Sequence, residues 1–240
     1  MKQVSLVIPF YNESKKFGLF KEHLLSYLPS NRFYGEMIWV NDGSTDDTGA
    51  LLDKFSKEIT SIPVSVIHVS PNKGKGNAIK EGIKTAKLPW VLCNDADFSY
   101  LPNQIDEWVD SGLLDLNAEK IPHFGSRELG MTKGWVKFKW HRRIIGRIYA
   151  LLIRWVTGIN VTDTQCGFKL YPTDIAQQIF QKVKEERFAF DVEVHYLLKQ
   201  IHKSPRMLPV HCIDRGDSKV DLIKDSWQMW QALFRIKKQK

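Results

Sequence analysis

The sequence predicts an α/β domain built on a mainly parallel central sheet with flanking helices. Three observations point there. Short apolar runs recur through roughly the first hundred residues, each is followed by a segment with helical spacing, and polar turn residues close every run. A chain of 240 residues with 43% hydrophobic content can bury one large core.

Taken in order, "VSLVIP" (4–9) reads as a strand, "KEHLLSYLPS" as a helix and "EMIWVND" (36–42) as a strand. "TDDTGALLDKFSKEI" reads as a helix with a start signal at Ser44 and Thr45, "VSVIHV" (64–69) as a strand, "GKGNAIKEGIKTA" as a helix and "PWVLCND" as a strand. No internal repeat or low-complexity linker interrupts the series. In an open α/β sheet, ligands bind beyond the carboxyl ends of the strands. Those ends carry Pro9 to Glu13, Asn41 to Asp46, Asn72 to Asn77 and Asp95 to Asp97, which suggests one shared site.

The fourth end is the most telling. An apolar run, "WVLC", leads into two carboxylates separated by one small residue, Asp95 and Asp97. Unpaired burial of either would cost several kcal/mol, so a positive partner is expected beside them. Oxygen-only ligands favour Mg²⁺ or Mn²⁺ over zinc, and such ions commonly bridge one or two carboxylates to substrate phosphates. Capping of the following helix is the plainer role for the same pair. In "NDGSTDDT", Asp42 is placed to accept from a nucleobase or ribose, with Gly43 permitting close approach of a ligand. In "NKGKGNA", Lys73 and Lys75 with the backbone N–H groups could face phosphate, although the segment is not a P-loop.

A formal charge of +8 favours anionic partners. Nucleic acid is not expected, because no helix-turn-helix, RNP-like aromatic pattern or zinc finger accompanies the charge. Instead "KFKWHRRIIGRIYALLIRWVTGI" (137–159) is a basic amphipathic helix. It groups Arg143, Arg147 and Arg154 beside an apolar stripe of Ile144, Ile148, Leu151, Leu152, Trp155 and Ile159. A second candidate is the C-terminal "LIKDSWQMWQALFRIKKQK", in which Ile223, Trp227, Trp230 and Phe234 recur at helical spacing. The first suits a membrane surface and a core-packing position about equally, and the two segments together favour a membrane surface. No signal peptide or spanning segment is visible, and Cys93, Cys166 and Cys212 lack the spacing of a disulfide framework or zinc site, which fits a reducing compartment. The expected organisation is one domain over 1–220, including helix 137–159, followed by a basic amphipathic helix over 221–240.

The ordered set "VIPFYNE", "NDGSTDDT", "GKGNAIKEG", "DADFS" and "DTQCGFKLY" resembles the inverting family 2 glycosyltransferases, in particular the dolichyl- or polyprenyl-phosphate hexosyltransferase branch. The resemblance runs from about Val4 to Val220 and implies the nucleotide-diphospho-sugar transferase (GT-A) fold. It also implies a nucleotide pocket containing Pro9, Tyr11, Glu13 and Asp42, and a metal-binding DXD pair at Asp95 and Asp97. Ser99 stands where several phospho-mannosyl relatives have Gln, so a third side-chain metal ligand is not implied. Arg127 in "FGSRE" resembles an acceptor-phosphate or diphosphate contact. "DTQCGFKLY", with Asp163, Gln165 and Lys169, is similar to the glucosyl members, as are "RFAFDVEV", with Arg187, Asp191 and Glu193, and "RGDSKV", with Ser218 and Lys219.

The reaction so implied moves a hexose, glucose from UDP-glucose, to a polyprenyl or dolichyl phosphate with inversion. A lipid phosphate is already ionised near neutrality, so no strong general base is needed. Arg127, Arg142 and Arg143 would serve as phosphate forks. The alternative is a polysaccharide- or glycan-elongating enzyme with a hydroxyl acceptor, in which Asp163, Asp191 or Glu193 would act as base. A silent module that senses nucleotide sugars is a third possibility, against which the intact motifs argue. The expected location is the cytoplasmic face of a membrane, peripherally, directly or through a membrane-protein partner.

Overall fold

The computed structural model describes residues 3–118, 120–136, 140–187, 189–213 and 222–238; for residues 140–143, 145 and 222–229 this covers the backbone alone. The first half alternates as the sequence predicts: β1 (Val4–Phe10), α1 (Phe17–Tyr27), β2 (Tyr34–Asp42), α2 (Thr48–Glu58), β3 (Val64–Val69), α3 (Lys75–Thr85) and β4 (Trp90–Cys93). There follow α4 (Gln104–Asp110), β5 (His123–Ser126), α5 (Arg127–Thr132), α6 (Trp140–Thr157), β6 (Lys169–Pro172), α7 (Thr173–Lys182), α8 (Phe190–Gln200), β7 (Arg206–Pro209) and α9 (Leu222–Lys237).

The seven strands lie in the order β3-β2-β1-β4-β6-β5-β7. β3, β2, β1 and β4 are mutually parallel, whereas β6 runs antiparallel to both its neighbours, and β5 and β7 are parallel. The chain leaves β1 toward β2 on one side and returns to β4 on the other, so the crevice beyond the carboxyl ends of β1 and β4 is the topological switch point.

Alternation along the strands sorts side chains into two layers. Leu6, Ile8, Met37, Trp39, Trp90 and Leu92 pack on one face, against Phe20 and Leu24 of α1, Phe55 of α2 and Trp108 of α4. Val7, Ile38, Val40, Val91 and Cys93 pack on the other, against Ile79 of α3, Phe180 of α7 and Val194 of α8. Burial on both faces explains why these runs read as unbroken apolar segments rather than alternating ones. A third cluster, Ile153, Val156, Ile159, Val192, Leu233 and Ile236, joins α6 and α9 to the outer side of α8.

Of the boundary shifts from the sequence reading, three matter most. α1 begins at Phe17 rather than Lys21, with Phe17 and Phe20 buried. α2 begins at Thr48 rather than after Ser44 and Thr45, because both of those N–H groups are captured by side chains outside the helix: Ser44 N donates to Asn41 Oδ1 at the end of β2, and Thr45 N to Asn12 Oδ1 in the loop after β1. β4 stops at Cys93, leaving Asp95 in a turn beyond the strand. Helix α6 spans most of the predicted 137–159; residues 137–139 lie outside the described residues, and Gly158 at φ +68° ends it.

Candidate active site

The loops at the switch point are clipped to one another. Asn12 N donates to Ser44 Oγ at 3.0 Å, Glu13 N to Thr48 Oγ1 at 2.8 Å, and Ser14 Oγ to Asp46 Oδ2 at 2.6 Å. Burial pushes the Asp46 carboxyl up, but the hydrogen bonds from Ser14 and Thr48 together outweigh it and hold the group down at about 2. Pro9, Tyr11 and Glu13 therefore sit on a rim fixed by the β2–α2 loop, with Tyr11 exposed.

Asp42 has a different setting. Its carboxylate is 2% exposed and accepts from Asn72 Nδ2 (2.8 Å), Lys73 N (3.1 Å) and Gly74 N (2.7 Å). Gly76 N and Asn77 N donate to Glu186 O. The backbone donors of "NKGKGNA" are thus largely spent on the protein itself, where the sequence reading aimed them at phosphate. The glycines are required for the same reason. A Cβ on Gly74, which sits at φ +110°, would lie 2.6 Å from Glu186 O, and one on Gly76 would lie 2.7 Å from Glu185 O.

The turn after β4 is built around its own backbone. Asn94 N continues the ladder to Val7 O, and Asn94 Nδ2 donates to Tyr100 O. Asp95 N donates to Asn94 Oδ1 at 2.8 Å, and Ser99 N to Asp97 Oδ1 at 2.8 Å. Between them Phe98 adopts φ +45°, a conformation that costs an L-residue about 1–2 kcal/mol. Its fully buried ring, stacked on Phe20 at 5.1 Å, holds it there.

The positive partner expected for the carboxylates is Lys75, whose Nζ lies 2.5 Å from Asp95 Oδ1. Burial would pull the Lys75 ammonium down, but Asp95, Asp191 and Asp97 together hold it above the ordinary lysine value. On the other side Gly167 abuts the same carboxylate; a Cβ there would sit 2.1 Å from Asp95 Oδ2. Asp95 is thereby cradled between α3 and the 163–169 loop.

That loop is anchored twice. Asp163 accepts from Arg127 N (2.8 Å), Nε (2.9 Å) and Nη2 (2.7 Å). Burial raises the Asp163 carboxyl, and the Arg127 charge and hydrogen bonds reverse this, leaving it below the usual carboxylate range. Farther along, Lys169 Nζ donates to Thr164 O at 2.9 Å and to Asp191 Oδ1, forming an ion pair buried between the rings of Phe124 and Phe190. Burial pushes the Asp191 carboxyl up against the pull of Lys169 and Lys75. The Cys93 thiol, pushed up to about 12 by burial, lies within the electrostatic reach of Lys169, Lys75, Asp191 and Asp95. It marks where these groups converge. Cys212 stands in the same relation to Arg127, Asp97 and Asp163. On the anchored loop, Gln165 Nε2 is buried without a hydrogen-bond partner among the described residues, which suits a donor waiting for a ligand oxygen.

The structure thus brings together Asp95, Asp97, Lys75, Arg127, Asp163 and Asp191, with Pro9, Tyr11 and Glu13 on the neighbouring strand end. The side chains of Arg142 and Arg143, and all of Lys219, lie outside the described residues. What sequence reasoning missed is the pairing: Lys75 on Asp95, and the buried Lys169 on Asp191. The unexplained carboxylates were the signal that such cations exist. As a cation site the turn offers carboxylate oxygens only, and no three or more His, Cys, Asp or Glu side chains among the described residues are placed to hold one metal ion together. That fits Mg²⁺ or Mn²⁺, which keep waters and take phosphate oxygens, and not zinc.

Helix α6 has two apolar faces. Ile153 and Val156 are buried in the third cluster, while Ile144, Ile148, Leu151 and Trp155 project outward, Trp155 being 73% exposed. At about 100° per residue the outward four fall within roughly 60° of each other, bordered by the exposed Arg147 and Arg154. No helix among the described residues is long and apolar enough to cross a membrane.

Comparison with known proteins agrees with this geometry. The chain is 32% identical over 212 residues to the human dolichyl-phosphate beta-glucosyltransferase, an overlap covering 85% of this chain and 65% of the human protein's length. Over 249 residues it is 30% identical to the dolichyl-phosphate beta-glucosyltransferase of Saccharomyces cerevisiae, covering 98% of this chain and 74% of that protein. Among solved structures it superposes on mannosyl-3-phosphoglycerate synthase from Rubrobacter xylanophilus with a TM-score of 0.65 and 14% identity, covering 98% of this chain and 72% of that one. With glucosyl-3-phosphoglycerate synthase from Mycobacterium tuberculosis, solved with Mn²⁺, UDP and glucosyl-3-phosphoglycerate, the TM-score is 0.62 at 15% identity, covering 98% of this chain and 78% of that one. These likenesses identify the GT-A fold. The family model described as Glycosyl transferase family 2 matches residues 5–180, from β1 into α7 and through the turn that carries Asp95 and Asp97, and the chain belongs to that family.

Proposed function

We propose that the protein transfers glucose from UDP-glucose to a polyprenyl or dolichyl phosphate, inverting the anomeric centre, at the cytoplasmic face of a membrane. The observation that carries this reading is the state of the candidate bases. Asp163 is held in the Arg127 fork, Asp191 pairs with Lys169, and the buried Glu193 accepts from Lys184 N and Glu185 N. A hydroxyl acceptor needs a carboxylate within hydrogen-bond reach, and all three are committed elsewhere. An acceptor that arrives as an ionised phosphate needs none. The names of the relatives support the same acceptor class.

Asp95 and Asp97 would hold Mg²⁺ or Mn²⁺, which when bound neutralises charge on the departing diphosphate. Arg127, with two donors on Asp163 and its side chain 29% exposed, is positioned to orient the acceptor phosphate. Ile144, Ile148, Leu151 and Trp155, edged by Arg147 and Arg154, suit insertion among anionic headgroups and would keep the lipid phosphate within reach. The test is acceptor choice. Purified protein with labelled UDP-glucose and Mg²⁺ is offered polyprenyl phosphate, the matching unphosphorylated polyprenol, or an oligosaccharide. Labelled product with the phosphate alone is expected; transfer to either hydroxyl acceptor would replace this reading with the elongating one.

A further inference from the structure

Lys75 is more than a neutraliser of a stray carboxylate. Its backbone cannot move freely: Gly74 N is bound to Asp42, Gly76 N and Asn77 N are bound to Glu186 O, and the glycines on either side are packed against the 185–186 carbonyls. Its side chain nevertheless remains 24% exposed, and its ammonium rests on Asp95, whose side chain is 28% exposed, at the mouth of the site. A pinned backbone with a flexible four-carbon side chain can swing without disturbing the fold. Asp95 Oδ1 cannot offer the same lone pairs to an ammonium at 2.5 Å and to a divalent cation.

Building on the metal assignment proposed above, we infer that Lys75 is a resident counter-ion: it occupies Asp95 in the donor-free protein, leaves when a divalent cation enters, and then pairs with the donor diphosphate. Two consequences follow. Bare cations bind weakly, because each must displace a like charge. Cation and diphosphate bind with positive coupling, because the ammonium released by one is the ligand of the other. Lys75 in this role is a positioning residue that keeps the carboxylate pair compact until substrate arrives.

The experiment is Mn²⁺ titration followed by electron paramagnetic resonance, with and without inorganic pyrophosphate, on the wild type and on Lys75→Gln, Lys75→Arg and Asp97→Asn. Without pyrophosphate, Lys75→Gln is expected to bind Mn²⁺ about tenfold more tightly than the wild type, with one positive charge removed from the site. Pyrophosphate should then strengthen Mn²⁺ binding at least tenfold less in Lys75→Gln than in the wild type. Equal or weaker Mn²⁺ binding by Lys75→Gln without pyrophosphate overturns the inference, as does an undiminished pyrophosphate effect. Lys75→Arg keeps the charge, so tighter binding by it also overturns the inference, even should the Gln variant not fold. Asp97→Asn separates this from the broader reading. Its loss of Mn²⁺ binding keeps the metal site whatever Lys75 does, whereas wild-type binding by it removes the metal site itself.

Discussion

Replacing Lys169 with Met should be among the most damaging single substitutions in the chain. The lysine side chain is 3% exposed and that of its Asp191 partner 6%, and the same Nζ also satisfies Thr164 O. Met fills most of the volume but leaves Asp191 as an uncompensated buried charge. Breaking a buried pair in this way costs about 3–5 kcal/mol, and the stranded carbonyl adds about 1 kcal/mol. Lys169→Met combined with Asp191→Leu removes both charges and should recover about 2–3 kcal/mol of that loss, a coupling readable in a double-mutant cycle. Urea unfolding at pH 7 measures all of these. A second signature comes from pH: the lone carboxyl can be protonated, so the single variant's deficit should shrink as pH falls from 7 to 5, whereas the double variant's should not. A single-variant cost under about 1 kcal/mol, or a double variant no better than the single, would refute the view that a charged pair ties the 163–169 loop to α8.

Other perturbations test other parts of the account. Gly167→Ala would place a methyl 2.1 Å from Asp95 Oδ2 and should lower transfer about a hundredfold, a loss of about 2.7 kcal/mol in transition-state stabilisation. Gly146→Ala on α6 meets nothing within 4 Å and should leave activity intact while adding up to about 1 kcal/mol of stability; both are read by activity and urea midpoint. Burial holds His195 neutral in the folded state down to about 3, while in the unfolded chain it takes a proton near its ordinary value. The unfolded state therefore binds more protons below about pH 6.5, and this residue should withdraw stability at up to about 1.4 kcal/mol per pH unit as pH falls toward 5. His195→Gln should flatten that slope in urea midpoints. On the exposed face of α6, Ile148→Ser with Trp155→Ser should weaken binding to anionic vesicles at least tenfold with the melting temperature unchanged. Arg147→Glu with Arg154→Glu should abolish the preference for anionic over neutral lipid, measured by vesicle sedimentation.

What was legible in the sequence and what was not divide along physical lines. β1, β2 and β4 read correctly because both faces are buried, so hydrophobicity alone outlines them. Asp95 and Asp97 stood out because their charge contradicts their apolar surroundings. The second half of the sheet was opaque, since β5, β6 and β7 have four residues each, too few to display a period. Nothing local announces that β6 inserts antiparallel between β4 and β5, yet that insertion sets Lys169 opposite Cys93 and brings its loop to the carboxylates. The pairings of Arg127 with Asp163, 36 positions apart, and of Lys169 with Asp191, 22 apart, are consequences of topology. The motif glycines illustrate the opposite error. Gly74 and Gly76 look like a phosphate cradle, and in the fold they admit the carbonyls of Glu186 and Glu185.

The central claim is that Asp95 and Asp97 hold the cation that lets glucose pass to a lipid phosphate. Its most direct test is transfer of label from UDP-[¹⁴C]glucose to polyprenyl phosphate in detergent with Mg²⁺, read by organic extraction, for the wild type and Asp97→Asn. Label in the organic phase with the wild type, and at least a hundredfold less with Asp97→Asn or with chelator present, is the predicted result. Equal transfer by Asp97→Asn, or binding of UDP-glucose by the wild type without any lipid product, would contradict it.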